Sequence, residues 1–170
     1  MSTQTIKEFQ KFHDVMEKFD SAMLVSRTLD GELRSRPMVI AKVENDCRLW
    51  FITNLYSGKV EEFLEDPHVN VALQNGSQYV SLSGEATIDR NRAKVEEFWN
   101  ESWKTWFPGG KEDPELALIC VEPDQGQYWD NSGTSGMKYL YEASKAYFSG
   151  TKPEIDEDIH GSVDFREPLT

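Results

Sequence analysis

Two tight-turn dipeptides, Asp30-Gly31 and Asn75-Gly76, each stand between runs of alternating apolar residues. Such pairs close antiparallel hairpins, because glycine adopts the positive φ that the turn needs. The first joins Ala22-Met23-Leu24-Val25-Ser26 to a second strand running from Leu33 to Val43. Glu44-Asn45-Asp46 turns the chain again into a third strand, Cys47 to Thr53, which completes an antiparallel meander. The second joins Val69-Asn70-Val71-Ala72-Leu73 to the longer run Tyr79 to Ile88. Gly84 interrupts that long run and predicts a bulge or a barrel corner. Leu116 to Val121 reads as a buried strand, and Gly126-Gln127-Tyr128-Trp129 continues extended after Pro123.

Helical periods appear between and around these strands. Ile6, Phe9, Phe12, Met16 and Phe19 form one apolar stripe, with Thr5 and Glu8 as a capping box. A short helix starts near Ser57, carries Val60, Phe63 and Leu64, and stops at Asp66-Pro67. A third, capped by Asp89, carries Ala93, Phe98, Trp99, Trp103 and Trp106 and ends before Pro108. Its three tryptophans are expected to pack on a barrel, with a ligand mouth as the alternative. A last helix is expected over Leu140 to Phe148. The fold class that follows is mainly β with flanking helices.

The chain has 170 residues and a formal net charge of −12. That charge opposes nucleic acid and anionic membrane surfaces as partners. No run has the length of a membrane-spanning helix, and residues 1–8 lack the apolar core of a signal peptide, so the expected location is cytoplasmic. Cys47 and Cys120 match neither a disulfide framework nor a zinc pattern and are expected to be reduced, structural thiols. His13, His68 and His160 stand at no metal-ligand spacing, so no metal site is expected. Residues 1–150 form the expected domain. Residues 151–170 carry six acidic against two basic side chains and are expected to be a loose acidic tail or a strap over a neighbouring subunit.

In so acidic a chain, a binding site for an anion needs a local concentration of donors. One stretch offers it: a strand ends at Thr53, a polar turn follows, and a helix starts near Ser57. Helix N-termini present free backbone N–H groups to phosphates. Thr53 and Ser57 add hydroxyls and Lys59 a charge, with Arg34 and Arg36 on the preceding strand. A plain structural junction of the same composition is an equal reading on these residues alone.

The motifs taken together add a resemblance. Arg36-Pro37-Met38-Val39-Ile40-Ala41-Lys42, Leu49-Trp50-Phe51-Ile52-Thr53-Asn54, Ser57-Gly58-Lys59 and Asp66-Pro67-His68-Val69-Asn70-Val71-Ala72-Leu73 follow in order, and Ser83-Gly84-Glu85-Ala86 and Gln127-Tyr128-Trp129-Asp130 fit after them. The whole resembles the FMN-binding split barrels of the pyridoxamine 5′-phosphate oxidase superfamily, most of all its small general stress proteins. The resemblance implies a six-stranded antiparallel split β-barrel and a homodimer with the flavin at its interface. It implies that Arg36, Pro37 and Met38 lie beside the ring and ribityl chain, that Ile52 and Thr53 contact the flavin, and that Ser57 and Lys59 bind its phosphate. Trp129 would approach the ring from the other subunit.

Three departures point away from pyridoxamine phosphate oxidation itself. Gly58 stands where the oxidase has an arginine, Tyr79 where it has a glutamine, and the substrate motif after the tryptophan is replaced by Asp130 to Lys138. The expectation is therefore a flavin-dependent oxidoreductase of another, small-molecule substrate. A non-catalytic FMN-binding or sensor protein, a split barrel for haem or a deazaflavin, and a structural dimer with an empty pocket remain alternatives.

Overall fold

The computed structural model describes residues 3–132, 141, 144–145, 149–150 and 159–166. The elements run α1 (Thr3–Met16), β1 (Ser21–Arg27), β2 (Leu33–Val43), β3 (Leu49–Asn54), α2 (Gly58–Glu65), β4 (His68–Asn75), β5 (Gln78–Asp89), α3 (Arg92–Phe98), β6 (Leu116–Asp130) and β7 (His160–Asp164). All strand pairings are antiparallel. The sheet order is β3-β2-β1-β4-β5-β6-β7, and β3 also pairs with β6, so six strands close into a barrel and β7 extends it by one.

Closure depends on the length of β6. Its first half, Leu116 to Val121, pairs with β3, and its second half, Gln125 to Trp129, pairs with β7. Its other edge stays on β5 throughout, with a register shift between Ser83 and Gly84. The expected corner at Gly84 is therefore present: it faces Pro123 where β6 changes partner. A Cβ at Gly84 would overlap the backbone carbonyl of Glu122.

Burial explains the two kinds of strand. β4 and β5 alternate, with Val69, Val71, Leu73, Val80 and Leu82 inside and polar residues outside. β3 and the first half of β6 are buried on both faces, which is why they read as continuous apolar runs. Inside, Leu49, Phe51, Ile119 and Val121 join Phe12, Val15 and Met16 of α1 in the barrel core. Outside, Trp50, Ile52, Leu118 and Cys120 form a second core under Val95, Trp103 and Phe107. Each large side chain so covered contributes about 1.5–3 kcal/mol of burial.

Several boundaries differ from expectation. α1 begins at Thr3, so Thr5 and Glu8 lie within the helix. β3 begins at Leu49, because Cys47 takes a φ of 66° to close the turn back to Glu44. α3 is capped by Asn91, whose side chain accepts the Ala93 and Lys94 N–H groups; Asp89 ends β5 and accepts from the Asn91 N–H. That helix stops at Phe98 and does not reach Trp106. Asn100 accepts the Ser102 N–H and starts a separate 3₁₀ turn, Glu101–Thr105, an asparagine competing with the helix for its backbone donors. Within the expected loose tail or strap of 151–170, the described residues 159–166 differ from expectation: His160–Asp164 are a strand of the chain's own sheet, with Ile159 and Val163 buried and Phe165 packed edge-on against Phe9 and Phe12. Alternation around His160–Asp164 is too short to stand out among acidic residues. The helix expected over Leu140 to Phe148 falls largely outside the described residues.

Among the described residues, no helix is long and apolar enough to cross a membrane, and no group of histidine, cysteine, aspartate and glutamate side chains stands close enough to hold a metal ion.

Candidate functional site

β3 delivers Thr53 and Asn54 to one end of the barrel. Asn54 shapes the turn that follows: its Oδ1 accepts the Tyr56 N–H at 2.8 Å and its carbonyl accepts the Ser57 N–H at 3.1 Å. α2 then starts at Gly58. Ser57 holds the cap position in extended conformation, but its hydroxyl makes no capping bond to the helix. Instead Ser57 Oγ accepts from Lys59 Nζ at 3.0 Å and lies 3.3 Å from Thr53 Oγ1. Among the described residues, the first turn of α2 thus keeps N–H groups that no side chain caps, and a Cβ built on Gly58 would meet nothing within 4 Å.

Lys59 is half-buried. Burial, and then the nearby Arg36 charge, push its ammonium below the ordinary lysine pKa, and Glu62 offsets this in part. Among the described residues no carboxylate stands within ion-pair distance of it. A cation held in this way is stabilised by any anion that reaches it.

The remaining charge nearby is organised around Glu62 on α2, which is 4% exposed. Its Oε2 accepts from Ser26 Oγ at 2.5 Å and from Arg36 Nη2 at 2.7 Å, while Oε1 faces Arg34 Nη1 at 3.3 Å. Arg36 Nη1 also donates to Ser26 Oγ at 2.7 Å. Burial alone would raise the Glu62 pKa, but the Ser26 and Arg36 hydrogen bonds hold it below the usual carboxylate range.

A cleft of about 550 Å³ opens beside Lys59. β2 contributes Pro37, Met38 and Val39; β3 contributes Ile52, Thr53 and Asn54; Ser21, Trp106 and Phe107 complete the wall. A mostly apolar slot with a cation in its lining suits a ligand with a flat apolar body and an anionic group.

Of the residues singled out in the sequence, the structure brings Pro37, Met38, Ile52, Thr53 and Lys59 into this wall, with Ser57 bonded to Lys59. Arg36 is close, but its guanidinium turns to Glu62 and Ser26 and does not line the cleft. Trp129 lies on the second half of β6, opposite Tyr79, with its ring 5.1 Å from that of His160, and does not line the cleft of its own chain. The three tryptophans divide their roles. Trp103 is 3% exposed in the second core, Trp99 packs edge-on against it, and Trp106 is 58% exposed at the cleft wall. Trp106 was expected to pack on the barrel as part of a longer helix, with a ligand mouth as the alternative, and Phe107 was not singled out, because the short 3₁₀ turn before them gives no helical period. Both cysteines are buried, and burial pushes each thiol up to about 12, so neither is a nucleophile at neutral pH.

Comparison with known proteins adds the family. A family model described as pyridoxamine 5′-phosphate oxidase like matches residues 7–154. The chain is 32% identical over 134 residues to Protein bli-3 of Neurospora crassa, covering 70% of this chain and 64% of that protein, so it spans less than two thirds of this relative. It is 28% identical to general stress protein 26 of Bacillus subtilis, covering 73% and 88% of the two chains. Among solved structures, a candidate general stress protein 26 of Jannaschia sp. CCS1 superposes with a TM-score of 0.74 at 25% identity, covering 94% of this chain and 99% of that one. A general stress FMN/FAD binding protein of Xanthomonas citri superposes with a TM-score of 0.64 at 29% identity, covering 75% and 92%. With 148 consecutive positions inside the family model, this chain belongs to the pyridoxamine 5′-phosphate oxidase-like family.

Proposed function

We propose that this chain binds FMN in the cleft between Pro37, Ile52 and Trp106, with the phosphate at Lys59, and that it serves as a flavin-dependent oxidoreductase. The observation that carries this reading is Lys59: a half-buried ammonium with no carboxylate at ion-pair distance among the described residues, next to a helix start that Ser57 does not cap and an apolar slot. The residues present fit the group. Lys59 and Ser57 would hold the phosphate together with the first N–H groups of α2, and Pro37, Ile52 and Trp106 would flank the ring. A bound flavin supplies the redox chemistry, and the protein's part is binding, orientation and exclusion of water. The FMN/FAD binding relative from Xanthomonas citri supports the cofactor class. Haem suits the cleft less well, since among the described residues Met38 lines it but no histidine, cysteine or tyrosine does. Pyridoxamine phosphate oxidation is not proposed: Asp130, at the start of the segment that departs from the oxidase, is buried and bonded to Lys11, Gln78 and Ser132.

Titration of the purified protein with FMN tests the binding. Saturable quenching of flavin fluorescence at one site per chain is expected, and its absence contradicts the reading. Consumption of a reduced pyridine nucleotide with an electron acceptor, only when FMN is bound, tests the enzymatic part; a non-catalytic flavin protein would show none. Trp106→Ala should weaken FMN by about tenfold through lost ring contact. Its effect on stability should stay within about 0.5 kcal/mol, because the side chain is exposed. The same titration and a thermal melt read both.

The functional unit in this reading is a homodimer. One row of outward residues crosses six strands: Pro37, Met23, Ala72, Ser81, Gln127 and Ser162. No member is charged, in a chain with 28% charged residues, and Met23 is 41% exposed. The row starts at Pro37, so this neutral face and the cleft are continuous. A partner covering the face would close the cleft and bring its own residues, Trp129 among them, to the ligand. Light scattering should give about twice the 19.5 kDa chain mass. Met23→Glu, which buries a charge in such an interface, should shift the protein to monomer; a wild-type monomer in solution would contradict the dimer.

A further inference from the structure

The Glu62 cluster stands beside the cleft but does not line it. It gathers three cations, Arg34, Arg36 and Lys59, around one buried carboxylate, a local charge of +2 in a chain of net −12. The carboxylate sits three residues after Lys59 on α2, so both lie on one face of the helix. Its two oxygens take up donors from both arginines and from Ser26. Arg36 is the more committed, with one guanidinium nitrogen on Glu62 and another on Ser26, and its side chain is mostly buried; Arg34 is mostly exposed.

We propose that Glu62 is a positioning residue that sets the charge of the phosphate site, holding the Arg36 and Arg34 donors away from the ligand so that Lys59 is the ammonium that meets it. The proposal rests on the FMN reading above and adds what limits the affinity. The arginines act at a distance, through their field, while their N–H groups stay on Glu62 and Ser26. The remaining +2 balances a phosphomonoester, whose charge near neutral pH is about −1.5 to −2. A site balanced in this way holds the cofactor less tightly than one with free arginines, and so allows it to exchange.

The sign of one substitution separates this role from simple support of the helix. Glu62→Gln keeps the side-chain shape, removes the negative charge and loosens both arginines. FMN affinity should rise by about three- to tenfold, the scale of one added charge at close range in a partly solvated site. Riboflavin, which lacks the phosphate, should bind as in the wild type, so the ratio of FMN to riboflavin affinity should rise. The dependence of FMN binding on salt should steepen as well. Arg36→Gln should lower the ratio, because Glu62 then faces Lys59 with less compensation. The double variant Glu62→Gln/Arg36→Gln restores the local charge to +2 and should return the ratio towards wild type.

The measurement is a set of FMN and riboflavin titrations on the full-length chain and its three variants at low and high salt. A ratio that falls or stays unchanged in Glu62→Gln, with wild-type FMN preferred over riboflavin, overturns the role of Glu62 and leaves the phosphate site standing. A wild type that binds both flavins equally overturns the phosphate site, and this inference with it. If Glu62→Gln does not fold, Arg36→Gln decides: a ratio that falls supports the proposal, and one that is unchanged or rises overturns it.

Discussion

Lys59→Ala is expected to weaken FMN binding by about 10- to 100-fold while leaving the fold intact. The lower bound follows from the loss of one hydrogen bond to a charged group, worth about 1.5–3 kcal/mol. The effect should reach the upper part of that range because the ammonium is half-buried and, among the described residues, no carboxylate stands within ion-pair distance of it. Among the described residues its hydrogen bond is to Ser57 Oγ, a hydroxyl that also stands near Thr53. Removing Lys59 therefore breaks no ion pair, and the melting temperature should move little or rise slightly as a desolvated charge disappears. Riboflavin affinity should not change.

The same group gives the binding a pH dependence whose sign is fixed. Burial and the Arg36 charge lower the Lys59 pKa in the free protein, and a bound phosphate raises it again. The cationic form is fully populated below the free-site pKa, so FMN affinity is at its full value there. It falls as pH rises through that value, starting below the pH at which an ordinary lysine would titrate. In Lys59→Ala this alkaline limb should disappear. Titrations between neutral and alkaline pH, with riboflavin as the control, measure both effects; an alkaline limb that survives in the variant would assign the titration to another group.

The largest effect on stability is expected at Gly84. A methyl group there would overlap the Glu122 carbonyl at the corner where β6 leaves β3 for β7. Neither side yields easily: Gly84 is held in β5, and the obstructing atoms are backbone of β6. Gly84→Ala should therefore destabilise the barrel by about 3 kcal/mol or more, the scale of severe overpacking. For a chain of this size that lowers the melting temperature by roughly 6–12 °C. Gly58→Ala is the matched control. A Cβ at Gly58 meets nothing within 4 Å, so the fold should tolerate it. Thermal melts of the two variants side by side decide the point, and equal melting temperatures would show that the corner adjusts without cost.

Gly84 also shows what kind of information the sequence carries. A glycine inside an alternating strand marks a place where a side chain cannot fit, and the corner appeared where that rule put it. Asp30-Gly31 and Asn75-Gly76 acted similarly, because turn chemistry is local. The barrel's closure was not local. The pairing of β3 with β6 joins Thr53 to Ala117, and nothing in either segment specifies the other beyond both being apolar on two faces. Order and spacing of motifs, through the family resemblance, supplied that step.

The cleft divides along the same line. Thr53, Ser57 and Lys59 were readable from the residues, because they sit at a strand end and a helix start; Pro37, Met38 and Ile52 came only through the family resemblance. Trp106 was placed on the wrong element, with a ligand mouth only as the alternative, since its position depends on where α3 breaks, and Asn100 settles that by taking the Ser102 N–H. Arg36 was readable as a nearby cation, but not as the partner of Glu62, a contact made across three elements. His160–Asp164 were hidden by acidic composition, although one buried valine and a flanking buried isoleucine are enough to seat the strand on β6.

A crystal structure of the protein grown with FMN tests the central claim most directly. The expected result is a flavin in the cleft of each chain, its phosphate on Lys59 Nζ and Ser57 Oγ and its ring between Pro37, Ile52 and Trp106. Flavin bound elsewhere on the chain, or bound in this cleft with its phosphate away from Lys59, would contradict the assignment.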